Sequence, residues 1–166
     1  MKILRTPEDC FTNLKDYSFK ENYIEIHVAP DVTARMHYID ENPKSSDVVL
    51  LLHGEPTWSY LYRHMIPILA KAGKRVIAPD LIGFGKSDKL SERTDYTYER
   101  HVAWTRNIID QLSLTNITLF GQDWGGLIGL RLVADMPDAF NGMVLSNTAL
   151  PIGKGSSEGF ESWKNF

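Results

Sequence analysis

The stretch "LFGQDWGGLIGL", Leu119 to Leu130, sets an apolar run ending in glycine against an apolar helical pattern, with the frame G-x-D-x-G between them. A strand that turns sharply into a helix tolerates little side-chain bulk beside the turn, and Gly121 and Gly125 meet that need. The central side chain is then raised above the sheet. Serine usually fills this position, and here it is Asp123. The plainer alternative is that Asp123 caps the helix beginning at Trp124, since aspartate is a favoured N-cap. A cap requires neither the preceding strand nor the paired glycines, so the combination favours a presented nucleophile.

Outward from this turn, strand and helix patterns alternate. NYIEIHV and TARMHYID, joined by the turn-forming APDV, read as an antiparallel hairpin. VVLLLHG is a continuous apolar run, which suits a strand buried on both faces. The spacing predicts a helix over Trp58 to Ala72 ending at Gly73, then the strand RVIAPD, and a helix over Tyr98 to Leu112 entered through Thr97 as cap. ITLFG and MVLSN complete the strands, with a helix over Trp124 to Asp135 between them that Pro137 follows. From the third strand onward this is β-α-β order, so the expected class is α/β with a mostly parallel, doubly wound sheet. Such sheets carry their chemistry at the carboxyl ends of the strands, where the His53-Gly54-Glu55-Pro56 loop, the Asp80 to Asp88 loop and the Asp123 turn all fall. Residues 1–22 read as an N-terminal extension, 23–150 as the core, and 151–166 as a linker leading into further structure.

Composition narrows the function. At 166 residues with 43% hydrophobic and 23% charged, the chain can bury one sizeable core. A net charge of −3 with scattered Lys and Arg gives no reason to expect nucleic acid as a partner. Cys10 is the single cysteine, the opening MKILRTPEDCFTNL lacks the apolar core of a signal peptide, and no apolar run approaches the roughly 20 residues of a membrane helix. A reducing compartment such as the cytoplasm, with no membrane association, is expected. Gly83-Phe84-Gly85 is too short for a dinucleotide fingerprint and no metal-ligand cluster stands out, so neither cofactor nor metal is expected.

An aspartate in place of serine changes the accessible chemistry. Serine attacking a saturated carbon would form an ether, which is a dead end. A carboxylate attacking the same carbon forms an ester, and water activated by a general base can then attack the ester carbonyl and restore the aspartate. Displacement at a saturated carbon bearing a halide or a strained epoxide oxygen is the chemistry this residue favours.

"HGEPTWSYLYR" (His53 to Arg63), "APDLIGFGKSDK" (Ala78 to Lys89) and "GQDWGG" (Gly121 to Gly126) together resemble a haloalkane dehalogenase of the α/β-hydrolase fold family, over a stretch from about Tyr23 to Phe166. Epoxide hydrolases share the Asp-Trp-Gly-Gly turn but usually have His where Gln122 stands and an aromatic residue near Glu55. The resemblance implies that Asp123 is the nucleophile and that the indole N–H of Trp124 donates to the departing halide. It implies an oxyanion hole made by the backbone N–H groups of Glu55 and Trp124, and it makes the Glu55–Pro56 bond a candidate for the cis form. "GFESWKNF", Gly159 to Phe166, resembles the start of the family's cap, which points to Trp163 as a second halide donor. Asn147 stands near where another branch places its catalytic glutamate, so the acid is expected later in the chain order.

A small haloalkane, water and halide are the implied partners, and the complete protein is expected to be a monomer. The family's catalytic histidine and acid both follow the cap, and none of His27, His37, His53, His64 and His101 occupies such a late loop. His53 reads as a structural residue of the HG turn. The expectation is therefore an amino-terminal portion of the fold, cut after its sixth strand and the start of the cap. It leaves MVLSN as an open edge and cannot turn over by itself. Epoxide hydrolysis and a non-catalytic fragment are the alternatives.

Overall fold

The structure, a computed structural model, describes residues 1–150, 155 and 158–164. Its strands are β1 (Ile3–Leu4), β2 (Asn22–Ala29), β3 (Val32–Glu41), β4 (Val48–Leu52), β5 (Arg75–Pro79), β6 (Lys89–Leu90), β7 (Ile117–Gln122) and β8 (Phe140–Ser146). The α-helices are α1 (Met65–Lys71), α2 (Tyr98–Gln111), α3 (Trp124–Asp135) and α4 (Glu158–Lys164). Six strands form one sheet in the order β2-β3-β5-β4-β7-β8. The β2–β3 hairpin is antiparallel and joins β5 antiparallel, while the β5–β4, β4–β7 and β7–β8 pairs are parallel. This is the mostly parallel doubly wound sheet that the strand and helix order predicts.

β4 lies near the centre and every one of its residues is buried. Its alternation feeds two cores. Val48, Leu50 and Leu52 pack with Ile109 of α2 and with Ile128 and Leu132 of α3, while Val49 and Leu51 pack with Tyr62 and Ile66 on the opposite face. A continuous apolar run is therefore needed here, because a polar residue on either face would be buried without a partner. A third core joins Trp104 and Ile108 of α2 to Ile26, Ala34 and Met36 of the hairpin. α2 starts as its sequence predicts, with the Thr97 hydroxyl accepting from the Arg100 N–H at 3.2 Å.

Two elements differ from the sequence expectation. The helix expected over Trp58 to Ala72 is split into a 3₁₀ turn at Ser59–Tyr62 and the short α1. Pro67 has no N–H to donate and its ring crowds the preceding turn, so an α-helix tolerates it only near the start, and the helix begins at Met65. β8 begins earlier than MVLSN, at Phe140, in register with Ile117 of β7. Residues 1–22 also engage the core. β1 pairs with β6, and the Arg5 guanidinium makes a bidentate contact to Asp88 at 2.7 and 2.8 Å. Strands of two residues carry no periodicity and leave no trace in the sequence.

β8 is the outer strand beyond β7. Its consecutive residues Met143, Val144 and Leu145 are 47%, 51% and 41% exposed, so both of its faces are open, as the sequence leads one to expect for MVLSN.

Candidate active site

β7 delivers Asp123 to the carboxyl end of the sheet in a backbone conformation, φ 53° and ψ −125°, that side-chain-bearing residues rarely adopt. Such a conformation costs of order 1–3 kcal/mol and persists only where neighbours hold it. The neighbours are specific. The Asp123 N–H donates to the carbonyls of Asn147 at 3.2 Å and Ser146 at 3.4 Å, and its own carbonyl accepts from the N–H groups of Gly126 and Leu127 and from the Thr148 hydroxyl at 2.8 Å. α3 then starts hard against β4: a Cβ at Gly125 would lie 2.1 Å from the Leu52 carbonyl oxygen. Only glycine allows that approach.

Asp123 occupies the N-cap position of α3, yet its side chain makes no capping hydrogen bond. Instead Oδ1 accepts from the backbone N–H of Glu55 at 3.0 Å. The carboxylate is turned away from its own helix and toward the loop that follows β4.

That loop is fixed from behind. His53 is fully buried, with Nε2 accepting from the Leu81 N–H at 3.0 Å and Nδ1 donating to the Gly54 carbonyl at 2.9 Å. Each ring nitrogen has a defined task that only the neutral imidazole performs, and burial pushes the His53 pKa down. The Gly54 carbonyl also accepts from the Thr57 hydroxyl and N–H, both at 2.9 Å, and the Glu55–Pro56 peptide is cis. Gly54 has no room for a side chain, because its Cβ would fall 2.3 Å from Asp123 Oδ1.

Asp80 anchors the same region. It is completely buried and accepts from His37 Nδ1 at 2.9 Å and from the N–H groups of Ser59 and Lys86 at 2.8 Å. Burial alone would raise its pKa, but the hydrogen bonds it accepts, first from His37 and then from the Ser59 N–H, hold it below the ordinary carboxylate range.

Asp123, Trp124, Glu55, Pro56, Asn147 and Thr148 line a cleft of about 700 Å³. A second cleft of about 510 Å³ adjoins it at Glu55 and Trp124 and is walled by Leu81, Phe84, Tyr96, Tyr98 and His101 among others. The Tyr98 ring lies 6.4 Å from that of Trp124, and its hydroxyl donates to the Leu127 carbonyl at 3.0 Å. Burial, with a smaller contribution from His53, lowers the His101 pKa to about 4, so this wall is uncharged at neutral pH. As the first residue of α3, Trp124 has a backbone N–H with no acceptor within its helix.

The structure thus brings Asp123, Trp124 and Glu55 together. Trp163 falls in α4, but its side chain lies outside the described residues. His27 and His37 belong to the hairpin, His64 immediately precedes α1, and His101 lies in α2. Sequence reasoning missed Thr148, whose position in the tail of LSNTAL carries no motif. Among the described residues no group of three or more His, Cys, Asp or Glu could hold a metal, and no helix is long and apolar enough to cross a membrane.

A Gly-x-Asp-Trp-Gly turn at a parallel strand's carboxyl end, facing an HG loop, is matched by the family described as alpha/beta hydrolase fold over residues 47–165. The chain belongs to the α/β-hydrolase fold family. Within it, the chain is 60% identical over 167 residues to a haloalkane dehalogenase of Psychrobacter cryohalolentis, covering 100% of this chain and 55% of that protein. It is 49% identical to a haloalkane dehalogenase of Mycolicibacterium paratuberculosis, again over 100% of this chain and 56% of the relative. Among solved structures it is similar to the tetrameric haloalkane dehalogenase DpaA from Paraglaciecola agarilytica NO2, with a TM-score of 0.93, 44% identity, and coverage of 99% of this chain and 55% of that one. A Vigna radiata epoxide hydrolase variant is more distant, at 26% identity and a TM-score of 0.73 over 87% of this chain and 44% of that one. The chain spans about half the length of the curated relatives it matches.

Proposed function

We propose that this α/β-hydrolase chain carries the carbon–halogen displacement chemistry of a haloalkane dehalogenase. The observation that carries the reading is the Asp123 side chain, released from its helix and held by the Glu55 N–H in a cleft shared with Trp124. A carboxylate oxygen of Asp123 attacks the halogen-bearing carbon, the carbon–halogen bond breaks, and the halide leaves with the bonding electron pair. An alkyl ester of Asp123 remains. The Trp124 indole N–H stabilises the halide, a charge that develops only as the bond breaks. Trp163 is the proposed second donor.

In the second step a base removes a proton from water, the resulting hydroxide attacks the ester carbonyl, and the alkoxide leaves as alcohol on taking up a proton. The backbone N–H groups of Glu55 and Trp124 serve the tetrahedral oxyanion. No hydrogen bond links any of the five histidines to Asp123 among the described residues, so the base for this step is not assigned to them. The implied substrate is a small haloalkane, with cytoplasmic localisation. The tetramer named for the Paraglaciecola enzyme lends no support to the expected monomer.

Epoxide opening uses the same nucleophile. Gln122 in place of the usual His, and the lower identity to the epoxide hydrolase, make it the weaker reading. Intact-protein mass spectrometry after incubation with a reactive bromoalkane tests the proposal. One alkyl group per chain, mapped to Asp123, is expected. Modification confined to other residues, or ring opening of an epoxide under conditions where the bromoalkane is inert, overturns it.

A further inference from the structure

Asp123 and Asn147 are both non-glycine residues with positive φ, 53° and 45°, and they meet through the Asp123 N–H and the Asn147 carbonyl. Two strained residues in contact need a clamp. The next residue, Thr148, provides one: its hydroxyl reaches the Asp123 carbonyl at 2.8 Å, and its side chain fills the space a Cβ on Gly126 would occupy, with Oγ1, Cβ and Cγ2 between 2.3 and 2.6 Å of that position. Both ends of the Asp123 residue, its N–H and its C=O, are therefore tied to one three-residue segment, Ser146 to Thr148. The β-branched side chain makes this tie stiff, because its methyl and hydroxyl cannot exchange places without losing either the hydrogen bond or the contact with Gly126.

We propose that Thr148 is a positioning residue for the nucleophile. Its hydroxyl fixes the backbone turn at Asp123 and so sets the direction from which the carboxylate attacks. This rests on the reading of Asp123 as nucleophile, though the clamp itself does not. Attack on a saturated carbon demands alignment along the carbon–halogen axis, so a loosened turn slows alkylation even when the cleft is intact. The effect acts on the chemical step and leaves the apolar walls that bind the alkyl group unchanged.

The test compares the chain with Thr148→Val, which keeps the shape and removes the hydroxyl, and Thr148→Ser, which keeps the hydroxyl. Thr105→Val is the control, because the Thr105 hydroxyl donates to the His101 carbonyl at 2.8 Å, away from the turn. Two quantities are read below the concentration at which the chain associates: the rate of Asp123 alkylation by a bromoalkane, and amide hydrogen exchange at Asp123, Gly126 and Leu127. Thr148→Val is expected to slow alkylation about fivefold, the equivalent of one net hydrogen bond, and to speed exchange at those three amides. Thr148→Ser is expected to restore most of the rate, and Thr105→Val to lower only the unfolding midpoint. Unchanged rate and exchange in Thr148→Val overturn the proposal. If the parent chain forms no adduct, the nucleophile reading fails separately, and amide exchange alone decides the clamp: accelerated exchange upholds it and unchanged exchange removes it.

Discussion

Oδ1 of Asp123 and the backbone N–H of Glu55 lie 3.0 Å apart, and this contact replaces the helix cap that the aspartate would otherwise form. Cap and nucleophile therefore make opposite demands on a substitution. Asp123→Asn retains an acceptor for the Glu55 N–H and removes the carboxylate proposed to attack. Alkylation by a bromoalkane should fall below detection, while the unfolding free energy should change by less than about 1 kcal/mol. Retained adduct formation without deamidation, seen by peptide mapping, would remove Asp123 from its role.

Trp124→Phe keeps an aromatic ring opposite Tyr98 and deletes the indole donor. If that N–H serves the leaving halide, the alkylation rate should fall on the order of a hundredfold, as for loss of one preorganised donor to a developing anion. Stability should be nearly unchanged. An equal rate in the two chains would assign Trp124 to packing alone.

Two glycines should separate crowding from backbone preference. At Gly125 a methyl group would meet the Leu52 carbonyl oxygen at 2.1 Å, and neither backbone can retreat without parting α3 from β4. Gly125→Ala should destabilise by more than about 3 kcal/mol, beyond the usual range for a single substitution. Gly73, φ 84°, has nothing within 4 Å of its Cβ position, so Gly73→Ala should cost only its left-handed conformation, about 1 kcal/mol. Chemical denaturation of the two variants makes the comparison.

Acid should weaken the fold through His101, which is partly buried, and His53, which is fully buried. Burial lowers His101 from 6.5 to about 4, so between those values the unfolded chain binds a proton that the folded chain refuses. Stability from this group is complete above about pH 6.5 and is lost as pH falls, by up to about 3 kcal/mol near pH 4. His53, also lowered, adds in the same direction. His101→Phe suits a site beside Tyr96, Phe84 and Trp104 and should show a shallower decline between pH 7 and 5 by urea titration. Parallel curves for both chains would show that His101 does not control this range.

The exposed triplet Met143, Val144 and Leu145 on an outer strand should drive self-association. Val144→Lys should raise the concentration at which the 166-residue chain aggregates, measured by light scattering, since a charge on an edge strand opposes pairing. No change would place the association elsewhere.

Much of this was readable in the sequence because the deciding residues obey local rules. The Gly121–Gly125 frame requires a sharp turn, VVLLL requires burial on both faces, and Thr97 caps where it is expected to. The single helix expected over Trp58 to Ala72 is split because apolar spacing carries through Pro67, whereas a missing N–H does not. Thr148 escaped notice because its value lies in meeting Gly126 and Asp123 across more than twenty residues of chain, a relation that no spacing encodes. The Glu55 N–H that meets Asp123 is legible only through resemblance, since a main-chain donor has no letter in the sequence.

The strand whose end holds the Asp123 turn is also the outer strand of the sheet. Ser146 and Asn147 grip the Asp123 N–H at the end of β8, and a strand laid along the free edge of β8 would stand one ladder spacing, about 4.8 Å, beyond it. Asp123 therefore stands one strand in from the outer edge of the described sheet. A displacement of the end of β8 therefore reaches the Asp123 turn through these main-chain hydrogen bonds.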